Sequence, residues 1–180
     1  MPEPAASSST STIPSDQSRS GKNVEMAIHA VAFSLVGLVV LLGTIGLLGV
    51  RTGVVSVTQG GYTMDVLRAV VTRPGLATPF LVEVRTEDGS SLPETVTLQL
   101  DADYLGIFDL NGLQPTPSTT FNTDSSTWWT FEVPPGQTSL RVDMDARLEP
   151  AVQWASRGSV TLHSDGESVA TAEFTTWVMP

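Results

Sequence analysis

Leu140-Arg141-Val142-Asp143-Met144-Asp145-Ala146-Arg147-Leu148 alternates apolar and charged side chains at every step. Successive residues of a strand point to opposite sides, so Leu140, Val142, Met144, Ala146 and Leu148 share one face. Arg141, Asp143, Asp145 and Arg147 share the other, which predicts a strand with one buried and one solvated side. The same period recurs outward from this run. Val96, Leu98 and Leu100 alternate with Thr95, Thr97 and Gln99, and Trp129, Phe131 and Val133 with Thr130 and Glu132. Phe80–Thr86, Val160–His163 and Ala170–Val178 read as further strands, and Tyr62–Thr72 as the first.

The punctuation between these runs is that of turns. Glu87-Asp88-Gly89, Asn111-Gly112, Pro134-Pro135-Gly136 and Ser164-Asp165-Gly166 supply turn residues, and Asp165-Gly166 sits where a tight hairpin needs it. Pro150 opens one expected helical turn through Ala155, but no stretch after Arg51 sustains a helical period. The expectation for residues 62–180 is an antiparallel β-sandwich of seven or eight strands.

The segment Trp129-Thr130-Phe131-Glu132-Val133-Pro134-Pro135-Gly136-Gln137-Thr138-Ser139-Leu140-Arg141-Val142 resembles the late strands of immunoglobulin-like repeats on prokaryotic surface proteins. The shared order is an aromatic strand, a Pro-Gly turn with a polar residue, and an alternating strand. The resemblance spans residues 62–178 in pattern and this segment in motif. It implies a binding or spacer module outside the cell and brings no catalytic residue with it. The Cys-Trp-Cys core of antibody domains has no counterpart, because the chain has no cysteine.

Ahead of the β pattern lies Ala27–Val50, AIHAVAFSLVGLVVLLGTIGLLGV, with no formal charge. As a helix it would reach about 36 Å, enough for a hydrocarbon core of about 30 Å. Residues 24–51 are therefore expected to form a transmembrane helix, with 52–61 as a connector. Secretory h-regions run about 7–15 residues and end at a small-x-small site. This run is longer, and Gly49-Val50-Arg51-Thr52-Gly53 offers no Ala-x-Ala, so a retained signal anchor is expected. Ala30, Ser34 and Gly37, with Gly43, Gly46 and Gly49, leave helix-mediated self-association open. His29 lies close enough to the charged edge to reach interfacial water. Residues 1–23, rich in Ser, Thr and Pro, are expected to be a disordered tail.

The flanking charges nearly tie: Arg19 and Lys22 precede the span, and Arg51 and Arg68 follow it. The basic pair lies on the short tail, where it counts most, and long domains translocate largely regardless of charge. The expected arrangement is a single pass through the cytoplasmic membrane, tail inside and β domain outside. Residues 52–180 hold six basic against sixteen acidic side chains and so carry the whole net charge of −10. That field argues against a nucleic-acid partner. Without cysteine there are no disulfides, thiolate catalysis or Cys-based metal sites, and no Asn-x-Ser/Thr acceptor occurs.

No catalytic set is legible. His163, Ser164 and Asp165 are contiguous, so they cannot fold onto one another as a triad, and no Gly-x-Ser-x-Gly, phosphate-binding glycine loop or His-Glu-x-x-His is present. Asp101, Asp103, Asp109 and Asn111 gather four oxygen donors around one strand–turn region. Calcium takes such donors, although turn-capping by Asp and Asn explains the same residues. Asp143 and Asp145 are expected to pair with arginines across strands. Trp128 should point outward if Trp129 points in. It is then either an interface anchor or covered by the polar loop Gln114–Thr127. Trp154, between two strands, is a second candidate anchor or a cap on the sandwich.

Together these features predict a non-enzymatic, membrane-anchored binding or assembly module without a cofactor. Its expected partners are the lipid bilayer and another membrane or envelope protein. The rival expectations are a membrane-tethered carboxylate hydrolase using Asp101, Asp103 and Asp109, and a calcium-dependent adhesion domain.

Overall fold

The computed structural model describes residues 17–44, 49–151 and 154–179. The chain divides into two units, Met1–Leu48 and Gly49–Pro180.

The first unit contains one helix, α1 (Gln17–Thr44). Its Val24–Thr44 portion has a mean hydropathy of 2.3, and none of it is buried within the chain. A helix apolar on all sides and uncovered does not belong to a soluble core. By length and composition it can cross a membrane, as an anchor or as a signal sequence. It begins at Gln17, so residues 17–23 of the expected tail are helical. Once an apolar helix is nucleated, each added residue gains a hydrogen bond at little further cost. The rest of the expected tail and residues 45–48 of the expected span lie outside the described residues.

The second unit is mainly β: ten strands in one curled, hydrogen-bonded sheet. They are β1 (Arg51–Gln59), β2 (Tyr62–Thr72), β3 (Phe80–Thr86), β4 (Thr95–Asp101), β5 (Phe108–Gln114), β6 (Thr119–Asn122), β7 (Ser126–Glu132), β8 (Ser139–Leu148), β9 (Trp154–Ser164) and β10 (Glu167–Val178). A single turn of helix, α2 (Ala102–Leu105), follows β4. The strand order is β5-β8-β3-β2-β10-β9-β4-β7-β6, with β1 also on β2. β2 turns the corner: Tyr62–Leu67 pairs with β3, while Val71 and Thr72 run parallel to Trp177 and Val178 of β10.

The alternation of β8 is realised without exception. Its five apolar residues are buried and its four charged ones exposed. They join Met64, Val66, Val82, Leu98, Phe131, Val160, Leu162 and Ala172 in one core. Each such side chain contributes roughly 1.5–3 kcal/mol on leaving water. Asp165-Gly166 forms the expected hairpin, with φ of 53° and 84° between β9 and β10.

Several expectations are corrected. The strand count is ten rather than seven or eight, and the sheet includes one parallel junction. The expected connector 52–61 is mostly β1, paired with β2 through a Gly60-Gly61 turn (φ 60° and 80°). Gly53, Val55 and Val57 supply its half-buried side, a period-two signal that the glycines disguised. Asn111-Gly112 is a bulge within β5 rather than a turn: the register against β8 shifts between Leu110 and Gly112. The loop Gln114–Thr127 contains β6. Of the helical turn expected over Pro150–Ala155, Trp154 and Ala155 belong to β9 instead, and residues 152–153 lie outside the described residues. Asp143 approaches Arg141 on its own strand at 3.8 Å, and a cross-strand ion pair among the described residues joins Arg85 to Asp65.

Candidate functional site

The outward side of β6, β7, β4 and β9 is a row of hydroxyls interrupted by aromatic rings. Register sets the rows. Thr119, Thr130, Thr97 and His163 lie opposite one another in turn, and Phe121, Trp128, Gln99 and Thr161 form the next row. Trp129 and Phe131 go into the core, so Trp128 points outward as the alternation requires. It is half-buried because it stacks on His163, with ring centroids 4.5 Å apart and planes tilted by 40°. Beside it Phe121 is 61 % exposed. These rings with Thr95, Thr97, Thr130, Asp165 and Gly166 line an open groove of about 470 Å³.

A chain of polar contacts holds the floor of the groove. Gln99 Nε2 donates to Ser126 Oγ at 2.9 Å, which leaves its Oε1 as acceptor. His163 Nε2, 2.9 Å from that oxygen, is then the protonated nitrogen, and Nδ1 keeps its lone pair. Thr97 and Thr130 hydroxyls meet at 3.0 Å. Desolvation holds the His163 ring below its ordinary pKa, so it is neutral at pH 7. The groove thus offers an aromatic platform flanked by hydroxyl donors and acceptors and one carboxylate, an arrangement suited to stacking and hydrogen bonding. No hydroxyl nucleophile is bonded to His163 among the described residues.

The other sequence candidates lie elsewhere. Asp101 Oδ1 accepts from the backbone N–H groups of Asp103 (2.9 Å) and Tyr104 (3.2 Å), capping α2. The cap turns Tyr104 into the core, where its ring meets Phe80, Phe108 and Phe174. Burial pushes the Tyr104 phenol up, against the smaller opposing effect of its hydrogen bond with Thr176. Asp101 also lines a second groove, of about 490 Å³, with Arg157 and Glu173. Asp103 is exposed on α2, and Asp109 and Asn111 are exposed on β5, with Asp109 opposite Arg147. Among the described residues no three His, Asp or Glu side chains come together as a set that could hold a metal ion. Among the described residues Trp154 caps no part of the sheet. It opens β9 at φ 79°, which breaks the alternation that would have turned it inward with Gly158 and Val160, and it is 79 % exposed.

No protein-family model matches the chain, and no curated protein matches it. Among solved structures it is similar to ACE19, the collagen-binding subdomain of the Enterococcus faecalis surface protein ACE. The identity is 13 %, the match covers 72 % of this chain and 96 % of that one, and the TM-score is 0.22. A score that low does not establish a shared fold, and collagen binding stays a property of ACE19.

The sequence pointed to Trp128 but not to its setting. His163 is thirty-five positions away, and Phe121 lay in a segment taken for loop. The register of β4 between β7 and β9 brings Trp128 and His163 together, and the pairing of β6 with β7 adds Phe121.

Proposed function

We propose that this chain is a single-pass membrane protein that displays an immunoglobulin-like binding or assembly module outside the cytoplasmic membrane, with its N-terminus inside. The groove at Phe121, Trp128 and His163 is the binding face, and the module is non-enzymatic. The observation that carries this reading is a large, solvent-reachable aromatic pair set among hydroxyls on a strand face that the core does not need. Exposed aromatic side chains of this kind anchor partners in protein interfaces. The apolar, uncovered α1 supports attachment to the membrane. An accessory role beside another membrane or envelope protein accounts for both features.

The test uses the full chain in its own cells. Added protease should trim the β unit on intact spheroplasts, and chemical cross-linking followed by mild detergent extraction should recover a defined complex. An F121S/W128S variant, equally abundant and equally heat-stable, should lose that complex. Recovery of the same complex by the variant rules out the groove. Cleavage only after permeabilisation rules out the orientation.

A further inference from the structure

Leu76, Trp154, Trp177 and Met179 are exposed apolar side chains from three separate segments, and the backbone ties those segments together at one end of the β unit. Trp177 lies opposite Ala155 in β9 and opposite Val71 in β2, and Val178 lies opposite Trp154. The Met179 N–H donates to the Thr72 carbonyl at 2.9 Å, and Leu148 N–H to the Leu76 carbonyl at 3.0 Å. Trp177 is 55 % and Met179 51 % exposed, beside the still more open Trp154.

The chain enters the β unit at this same end. Arg51, the first residue after the charge-free run, pairs with Val71, whose other neighbour is Trp177. Two interstrand spacings put the backbones of Arg51 and Trp177 within about 10 Å of each other. The interfacial zone on each side of a bilayer is about 5–8 Å deep. A chain that leaves the hydrocarbon at Val50 therefore delivers Trp177 to the headgroup level or just above it.

Charge agrees with this placement. The turns at the opposite end carry Glu87, Asp88, Glu94, Asp165 and Glu167 and no basic residue. At the tryptophan end Arg51, Arg73, Arg147 and Arg157 stand against Asp101, Asp103, Asp109, Asp124 and Glu149, a near balance, whereas the opposite end has only Arg85 beside its five acidic residues, so most of the acidic excess is segregated away from the tryptophans. Indole, with an apolar body and one N–H donor, is the side chain that favours the boundary between hydrocarbon and water.

We propose that Trp154, Trp177 and Met179 seat this end of the β unit in the headgroup region of the lipid bilayer. The proposal rests on the membrane-anchored reading above. The contact fixes the height and tilt of the domain over the bilayer.

All four tryptophans of the chain lie in the β unit, at positions 128, 129, 154 and 177, so indole emission reports on it alone. The full chain is reconstituted into phosphatidylcholine vesicles with and without shallow brominated acyl chains, which quench indoles at the interface. The wild-type chain and W128F should lose emission in brominated vesicles, and W154F/W177F, with an unchanged melting curve, should not. Equal loss in the wild type and W154F/W177F overturns the proposal. So does the absence of loss in a wild-type chain that floats with the vesicles and resists alkaline extraction, an outcome that leaves the anchor reading standing. Blue-shifted emission from Trp154 and Trp177 without quenching would mean a protein covers them, and overturns it too. A chain that neither floats nor resists extraction defeats the anchor reading itself, and the proposal with it.

Discussion

Replacing Gly158 by alanine tests the centre of the packing. Gly158 sits on the inner side of β9 beneath the Tyr104 ring. A methyl group there would lie 2.6 Å from Tyr104 Cδ2 and closer still to Cγ, with Phe174 Cε2 at 2.9 Å. Ordinary carbon contacts are about 3.5–4.0 Å, so one of the three must move by roughly 1 Å. None is free to do so. Tyr104 OH donates to Thr176 Oγ1 at 3.0 Å, and that hydroxyl in turn donates to the Ala69 carbonyl at 2.8 Å. Phe80, Phe108 and Phe174 surround the ring, with centroids 5.0–5.9 Å away. Overpacking a fixed site costs about 3 kcal/mol, at the upper end of the usual range. Alanine recovers about 0.5–1 kcal/mol because glycine is costly within a strand. The net loss is about 2 kcal/mol, which for a unit of this size lowers the melting temperature by about 8 °C. Near-ultraviolet circular dichroism of the full chain in mild detergent reads the β unit's melting directly. In a Tyr104→Leu background the same substitution should cost clearly less, because the two tightest contacts are gone and only that with Phe174 remains. Melting of Gly158→Ala together with the wild type, or an undiminished cost in the Tyr104→Leu background, would refute the packing argument.

The remaining predictions concern the polar groups. Asp101→Ala should destabilise the β unit by about 1 kcal/mol through loss of the α2 cap, and Asp101→Asn should restore most of it, as thermal melts of the three chains will read. His163 has a folded pKa below its ordinary value, so as pH falls below about 6.5 the unfolded chain takes the proton first and stability declines until the folded ring also titrates. His163→Gln removes this loss, and the difference between the two chains' melting temperatures should narrow on acidification; parallel curves would show that His163 is not desolvated as described. A chelator should leave the melting temperature unchanged, because Asp101 is spent on a cap and Asp109 lies across from Arg147; a fall reversed by calcium would revive the ion site.

What was legible in the sequence was the property that repeats. The alternation of residues 140–148 gave the buried face of β8 residue by residue, and Phe80–Thr86 gave β3 to its ends, because in both the side-chain period matches a face fully buried on one side. β1 was missed although Gly53, Val55 and Val57 carry the same period, since its glycines and its place after the apolar run read as a joint. Asp101 was read both as a calcium donor and as a cap on its own backbone, and the second reading describes its place: its oxygen accepts from two backbone N–H groups three residues or fewer away. The Trp128–His163 stack was out of reach for a different reason. It depends on which strands are neighbours and in what register, and that is decided by the packing of the whole core.

The two aromatic sites lie on one domain but at different heights. Along β10, Trp177 is six residues from Thr171, which lies level with the Phe121–Trp128 row through Thr161, and nine from Ser168, opposite His163, about 20–30 Å at strand rise. With Trp177 among the headgroups, Phe121 and Trp128 stand well beyond the reach of lipid, above the interfacial zone and on the side where the acidic turns are gathered. A ligand of the groove therefore comes from the aqueous side and must tolerate a surrounding negative field, which favours a neutral or basic surface over an anionic polymer. The lipid contact and the groove then divide the work. On the proposed reading the first would hold the domain at one height and tilt, and the second would meet a partner whose own surface lies about 20–30 Å from the membrane.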